Sequence, residues 1–209
     1  VKKIHKKKNI ISFVGKLNRS KGFHIFGKAI IKILNKYKNW KSIVIGDEPR
    51  EKYNFKHDNI EYKGWISHEK TLDLYDITSI SVIPSEWEEP FGRTAVEAAS
   101  RGCATIVSKR GGLIETGPNT IFLTELNDKE LFNKIEFLIK NKKFRQKLQK
   151  ASYKNVMHEL QLNTKKIDSY RDDLLSSKKF AIKKNKQLKI LHISNFGNWL
   201  FNRLYFISI

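Results

Sequence analysis

Ile80-Ser81-Val82-Ile83-Pro84-Ser85-Glu86-Trp87-Glu88-Glu89-Pro90-Phe91-Gly92-Arg93-Thr94-Ala95-Val96-Glu97 decides how this chain folds. Residues 80–83 are a mainly apolar run that stops at Pro84, the pattern of a short buried strand. Pro84 and Pro90 break the backbone into a loop, and Ala95, Val96, Ala98 and Ala99 then carry a helix as far as Gly102. The start of a helix presents unpaired N–H groups and the positive end of the dipole, a setting suited to phosphate. Gly92 lets the backbone approach such a ligand closely. Glu89 precedes the helix and Glu97 lies within it. Carboxylates beside an anion site need a task other than holding the anion, and accepting hydrogen bonds from sugar hydroxyls is one such task.

The same alternation runs outward in both directions. Residues 9–15 form an apolar strand ending in Gly15, residues 16–22 a basic loop, and Phe23, Phe26, Ile30, Ile33 and Leu34 recur at helical spacing. Lys16 and Lys21 put cations where a diphosphate could sit. The loop lacks both the dinucleotide glycine spacing and the Walker lysine pattern, so a basic surface loop reads equally well from these residues alone. Further strands are expected at 42–45, 59–62, 103–107 and 120–123. Ser67 suits a helix N-cap, and Asn127 or Asp128 a second. A basic amphipathic helix containing Phe144, Leu148 and Met157 follows, and residues 163–175 read as another helix.

Short apolar strands alternating with helices predict an α/β fold, a Rossmann-like doubly wound parallel sheet covered on both faces. Ligands of such sheets bind at the carboxyl ends of the strands. The polar loops at 16–22, 64–67, 84–92 and 108–115 are all expected there, and this convergence says more than any one loop.

Composition narrows the function classes. Cys103 is the only cysteine, which excludes an intramolecular disulfide and a cysteine-rich metal site and fits a reducing compartment. It opens an apolar strand and reads as core. His24, His57 and His68 have no partners at ligand spacing and read as surface residues, and Glu86 and Glu88 as solvated. The formal net charge is +20. Lysine dominates it and is spread along the chain, with Asn and Ile abundant, as an AT-rich genome would produce. A nucleic-acid partner is not expected, because arginines and aromatics are not gathered on one element. No apolar run reaches transmembrane length.

Taken together, the motifs resemble the C-terminal, donor-binding domain of a GT-B-fold retaining glycosyltransferase of the large family 4 group, over residues 9–160. Glu89 and Glu97 have seven residues between them, in the context Glu-Pro-Phe-Gly at 89–92 and Glu-Ala-Ala-Ser-Arg-Gly at 97–102. Gly15-Lys16-Leu17 with Lys21-Gly22 resembles that family's Gly-Arg-Leu and Lys-Gly loop, and Gly111-Gly112-Leu113 with Glu115 its Gly-Gly-x-x-Glu segment. The resemblance implies that Glu89 binds donor-sugar hydroxyls and Glu97 the ribose. It implies that the N–H groups of Phe91, Gly92, Arg93 and Thr94 hold the diphosphate with help from Lys16 and Lys21. The segment containing Trp65 and Ile66 would border the base, with Gly15 in the turn beside the phosphates. From the residues alone, Glu97 could instead pair with Arg93 four positions earlier. Lys16 replaces an arginine and loses its bidentate fork. No cofactor and no metal are implied; a nucleotide-diphosphate sugar is the donor substrate. The acceptor would be a glycan or glycolipid such as a lipopolysaccharide or other surface-glycan precursor, bound with an N-terminal domain not contained in this sequence, and the fragment alone would transfer little.

Residues 1–8 read as a linker remnant, 9–175 as the nucleotide-sugar domain with its closing helix, and 176–187 as a lysine-rich linker. Residues 188–209 resemble the first strand and loop of a second glycosyltransferase, or else add a strand to the existing sheet. A basic nucleic-acid-binding module, or a GT-B relative with epimerase or phosphorylase chemistry, are the other classes. Cytoplasmic placement is expected, with peripheral attachment to the inner face of the plasma membrane through the lysine-rich helices at 140–155 and 164–184. Sedimentation with anionic vesicles should then show binding that salt abolishes, and its absence removes the membrane from the expected partners.

Overall fold

A computed structural model describes residues 7–116 and 119–176. Six strands form one sheet: β1 (Lys8–Val14), β2 (Lys41–Ile45), β3 (Ile60–Tyr62), β4 (Thr78–Ile83), β5 (Ala104–Ser108) and β6 (Ile121–Leu123). Their order is β3-β2-β1-β4-β5-β6, and every neighbouring pair is parallel. The helices are α1 (Phe23–Lys36), α2 (His68–Ile77), α3 (Arg93–Ser100), α4 (Asp128–Lys140) and α5 (Lys142–Ser176), with a 3-10 turn at Gly111–Thr116. The strand order reverses between β1 and β4, so the loops leaving those two strands diverge around a crevice.

Two faces of the sheet bury different chemistry. Ile11, Phe13, Ile80, Val82, Ala104 and Ile106 point to one side, where Phe26, Ile30, Ile33 and Leu34 of α1 and Leu131, Ile135 and Leu138 of α4 meet them. Phe13 packs 5.1 Å from Phe23 and 5.2 Å from Phe26, centroid to centroid. Each such side chain contributes about 1.5–3 kcal/mol by leaving water. On the other side Ser12 pairs in register with Ser81, and Ser81 with Thr105. Ala95, Ala98 and Ala99 of α3 and Tyr75 of α2 are buried there. Small residues on sheet and helix allow α3 to lie close to the strands. The central strands are therefore less apolar than the sequence pattern implies.

Helix boundaries follow local chemistry. Ser67 caps α2 by accepting the Lys70 N–H at 3.3 Å, and Asn127 caps α4 by accepting the Glu130 N–H at 2.8 Å. Arg145 donates to the Leu138 carbonyl at 2.5 Å and lies 5.0 Å over the Trp40 ring, so it caps the end of α4. Gln149 donates to the Ser79 carbonyl at 2.9 Å, and Ser152 to the Asn119 carbonyl at 2.8 Å. The first part of α5 thus docks through polar contacts that hydrophobic spacing does not reveal.

The structure adds three features to the sequence reading. Lys8 opens β1, and the Lys7 amine donates to the carbonyls of Tyr75 and Arg101, both at 2.7 Å, so the fold reaches into the stretch read as linker. The two expected C-terminal helices are one, α5, because no glycine or proline interrupts it. The chain divides into compact units after Met157, within α5. In the second unit, residues 158–176 are helical, with Thr164 donating to the Leu160 carbonyl at 2.9 Å. The proposed linker from residue 177 and the strand at 188–209 lie outside the described residues. Among the described residues, no helix is long and apolar enough to cross a membrane.

Gly22 ends the loop after β1 with φ 69°, and a Cβ there would overlap the Pro84 carbonyl. Gly64 has φ 59° but open space around it. Gly22→Ala should cost about 3 kcal/mol and Gly64→Ala about 1, read from urea unfolding, since only the first adds a clash to the left-handed strain.

Candidate functional site

The loops after β1 and β4 are bound to each other. The Ser20 carbonyl accepts from the N–H groups of Glu86 at 2.9 Å and Trp87 at 3.0 Å, and from the Ser85 hydroxyl at 3.1 Å. The same hydroxyl also lies 3.2 Å from the Trp87 carbonyl and 2.9 Å from Glu89 Oε1, and its single proton serves one of these three acceptors at a time. Ser85 is fully buried, and its own carbonyl accepts from Ser108 Oγ at 2.6 Å. Three strand ends are tied together here.

Lys21 Nζ lies 2.5 Å from Glu89 Oε1. The Glu89 side chain is only 13% exposed, so this ion pair is partly shielded from water. Both its donors use one oxygen, and among the described residues Oε2 has no partner. Below it the 3-10 turn packs tightly: Gly112 N–H donates to the Glu89 carbonyl at 2.6 Å, and a Cβ on either Gly111 or Gly112 would meet the backbone of residues 88–91. This explains the paired glycines.

Gly92 is the N-cap of α3 with φ 75°, and no side chain caps this helix. Leu113, fully buried, fills the space beside Gly92. The N–H groups of Phe91, Gly92, Arg93 and Thr94 make no hydrogen bond to any described residue. One turn along, Glu97 Oε1 takes His68 Nε2 at 3.0 Å and Arg93 Nε at 3.2 Å, again leaving Oε2 open. The pairing of Arg93 with Glu97, the alternative read from the sequence, therefore exists, and it does not consume the carboxylate.

The remaining predicted residues divide by role. Lys16 is exposed just after Gly15. Its charge helps hold the Glu48 carboxyl at about 2, although the hydrogen bonds from Arg50 at 2.7 and 2.8 Å are the main cause. Trp65 is 85% exposed at the rim, whereas Ile66 packs with Ile10, Ile43 and Ile45 and offers its backbone rather than its side chain. Two expectations need correction. Glu86 pairs with Arg19 at 3.4 Å and with His24 at 3.3 Å, so it is not simply solvated; Glu88 is 63% exposed, as expected, and pairs at the surface with Arg110 and the Gly111 N–H. His24 is not a surface residue: it stacks on Tyr53, and burial pushes its pKa below the ordinary value. Cys103 is core as expected; burial raises its thiol to about 11, despite the Lys7 amine nearby. Sequence reasoning missed Ser85 and His68, and the Ser-x-x-x-Glu spacing of 85–89 is the only signal that could have drawn attention to the first.

The parallel six-stranded sheet with an uncapped helix start at its switch point matches the Rossmann-like domains of GT-B glycosyltransferases. The chain belongs to the glycosyl transferases group 1 family, which matches residues 1–155. It is 30% identical over 162 residues to spore coat protein SA of Bacillus subtilis (strain 168), covering 69% of this chain and 43% of that protein. The chain spans less than half the length of the curated relatives it matches. Among solved structures, the C-terminal domain of the group 1 glycosyl transferase LpcC from Francisella tularensis superposes with a TM-score of 0.66 at 27% identity, covering 72% of this chain and 85% of that one. Anabaena HepE, solved in complex with UDP, shares the fold at 18% identity and a TM-score of 0.68, with 82% of this chain and 53% of HepE covered.

Ser85→Ala removes a buried hydroxyl that serves both loops and Glu89. It should destabilise the domain by about 1–3 kcal/mol. Hydrogen exchange at residues 85–89 should quicken more than exchange in β1, and equal quickening in both would show that the hydroxyl holds the whole fold rather than the loop.

Proposed function

We propose that this domain binds a nucleotide-diphosphate sugar as donor for a retaining hexosyl transfer. The observation that carries the reading is the row of unpartnered N–H groups from Phe91 to Thr94, set between Glu89 and Glu97. The diphosphate sits at this helix start, where amide dipoles and the dipole of α3 favour negative charge. Glu89 Oε2 accepts from hydroxyls of the donor sugar, and Glu97 Oε2 from the ribose. The exposed face of Trp65 and the backbone of Ile66 border the base. Lys16 and Lys21 supply positive charge from the opposite lip, with Arg93 as a further cation. As the glycosidic bond breaks, charge grows on the leaving diphosphate, and fixed amides and lysines stabilise it without reorganising. The acceptor is a glycan or glycolipid such as a surface-polysaccharide precursor, and membership in the glycosyl transferases group 1 family supports that class.

A thermal-shift panel of UDP-, GDP- and ADP-sugars tests the donor site. At a hundredfold excess over Kd the cognate donor should add about 2.7 kcal/mol, a rise of roughly 5–10 °C for a chain of this size. Glu97→Ala should weaken the sugar nucleotide and the free nucleoside diphosphate alike. Glu89→Ala should weaken only the sugar nucleotide. If neither substitution reduces any shift, the carboxylates are not the site.

A further inference from the structure

The His68 side chain reaches from α2 to Glu97 of α3 at the site, and neither the helical pattern nor its spacing to other histidines marks it. It is the first residue of α2 and follows the rim segment of Gly64, Trp65 and Ile66 after the N-cap Ser67. Its backbone is fixed: Ser67 accepts the Lys70 N–H, Thr71 Oγ1 donates to the Ser67 carbonyl at 3.0 Å, and the Gly64 carbonyl accepts the Gly46 N–H at 2.9 Å. A carboxylate oxygen can only accept, so the 3.0 Å contact with Glu97 Oε1 requires a proton on His68 Nε2.

We propose that His68 is a positioning residue that orients Glu97 for a vicinal diol. The inference rests on the assignment of Glu97 to the ribose. A glutamate carboxyl rotates in a broad, soft torsion about its last bond. The hydrogen bond from His68 in α2 and the guanidinium of Arg93 in α3, ion-paired with the same Oε1, restrain that rotation from two directions. An ionised carboxylate has about four acceptor positions. His68 and the Arg93 charge lie on the Oε1 side, and the pair of positions on Oε2 matches the two hydroxyl donors of a ribose. Because His68 follows the base-side rim without an intervening turn of helix, a shift of that rim moves the carboxylate with it. The base and the ribose are thereby read as one unit.

The test compares nucleotides with and without the diol. Dissociation constants are measured by calorimetry for UDP, GDP and ADP, and for the 2′,3′-dideoxy form of whichever binds most tightly, in the unaltered chain and in His68→Ala, His68→Gln and Glu97→Ala. His68→Ala should weaken the ribonucleotide roughly tenfold and leave the dideoxy form within about twofold, because only the diol uses the oriented oxygen. Gln carries an N–H at a similar reach, so His68→Gln should recover most of the loss. Equal weakening of both nucleotides, no weakening of either, or no recovery with Gln overturns the inference. Glu97→Ala separates the two levels: if it leaves the preference for the ribonucleotide intact, Glu97 does not bind the ribose and the donor-site reading itself is wrong. Binding by none of the three nucleoside diphosphates overturns both.

Discussion

One carbonyl oxygen joins the two halves of this domain. Ser20 closes the loop after β1, and three donors from the loop after β4 converge on its oxygen. A parallel sheet that reverses its strand order leaves a gap between exactly these two loops, because their helices depart to opposite faces. Left unbridged, the gap would be flexible. Here the Ser20 carbonyl, the close passage of Gly22 beside Pro84 and the Lys21–Glu89 pair close its base, so the crevice above is shaped before any ligand arrives. Precise placement of binding groups depends on such support from beneath.

The two carboxylates illustrate what that support achieves. Glu89 and Glu97 come from different local settings, one a loop and one a helix, yet each is held through a single oxygen and presents the other. Holding a partly buried carboxylate demands donors, since an unpaired buried charge is costly. Spending those donors on one oxygen meets this cost and keeps acceptor capacity for a hydroxylated ligand. The unpartnered amides between them provide the opposite preference, for an anion. A chain of net charge +20 therefore places two acids at its crevice, and the local hydrogen-bond geometry rather than the overall charge defines what fits there.

The sheet explains why the polar crevice is compatible with a stable domain. The face toward α1 and α4 holds most of the large apolar side chains, while toward α3 the middle of the sheet carries Ser12, Ser81 and Thr105, with Ile83 and Val107 packing against Ala95 near the strand ends. Small residues let the short α3 lie flat against β4 and β5, and this sets the direction in which its uncapped start points. The anchoring of α5 by Arg145, Gln149 and Ser152 adds polar contacts to the side away from the crevice.

By itself the sequence determined the alternation of strands and helices, their approximate bounds and the loops that carry chemistry. These follow from hydrophobic periodicity, from Ser67 and Asn127 as caps, and from glycine and proline as breakers, all of which act over a few neighbouring residues. It also marked Glu89, Glu97, Lys21 and the amides of 91–94, because the spacing of acids around a glycine helix start is local. What only the tertiary structure decided are the contacts between segments far apart in the chain. Ser85 is an ordinary loop serine until β1 and β5 flank it, and His68, exposed as expected, has no partner marked in the sequence until α2 lies beside α3. Lys7 reads as part of a basic tail until α2 and the end of α3 bring two carbonyls to it. Which oxygen of each carboxylate is occupied depends on such partners, 29 positions away for His68 and Glu97 and 68 for Lys21 and Glu89. No periodicity within one element encodes a pairing across that distance; only the folded sheet brings the partners together.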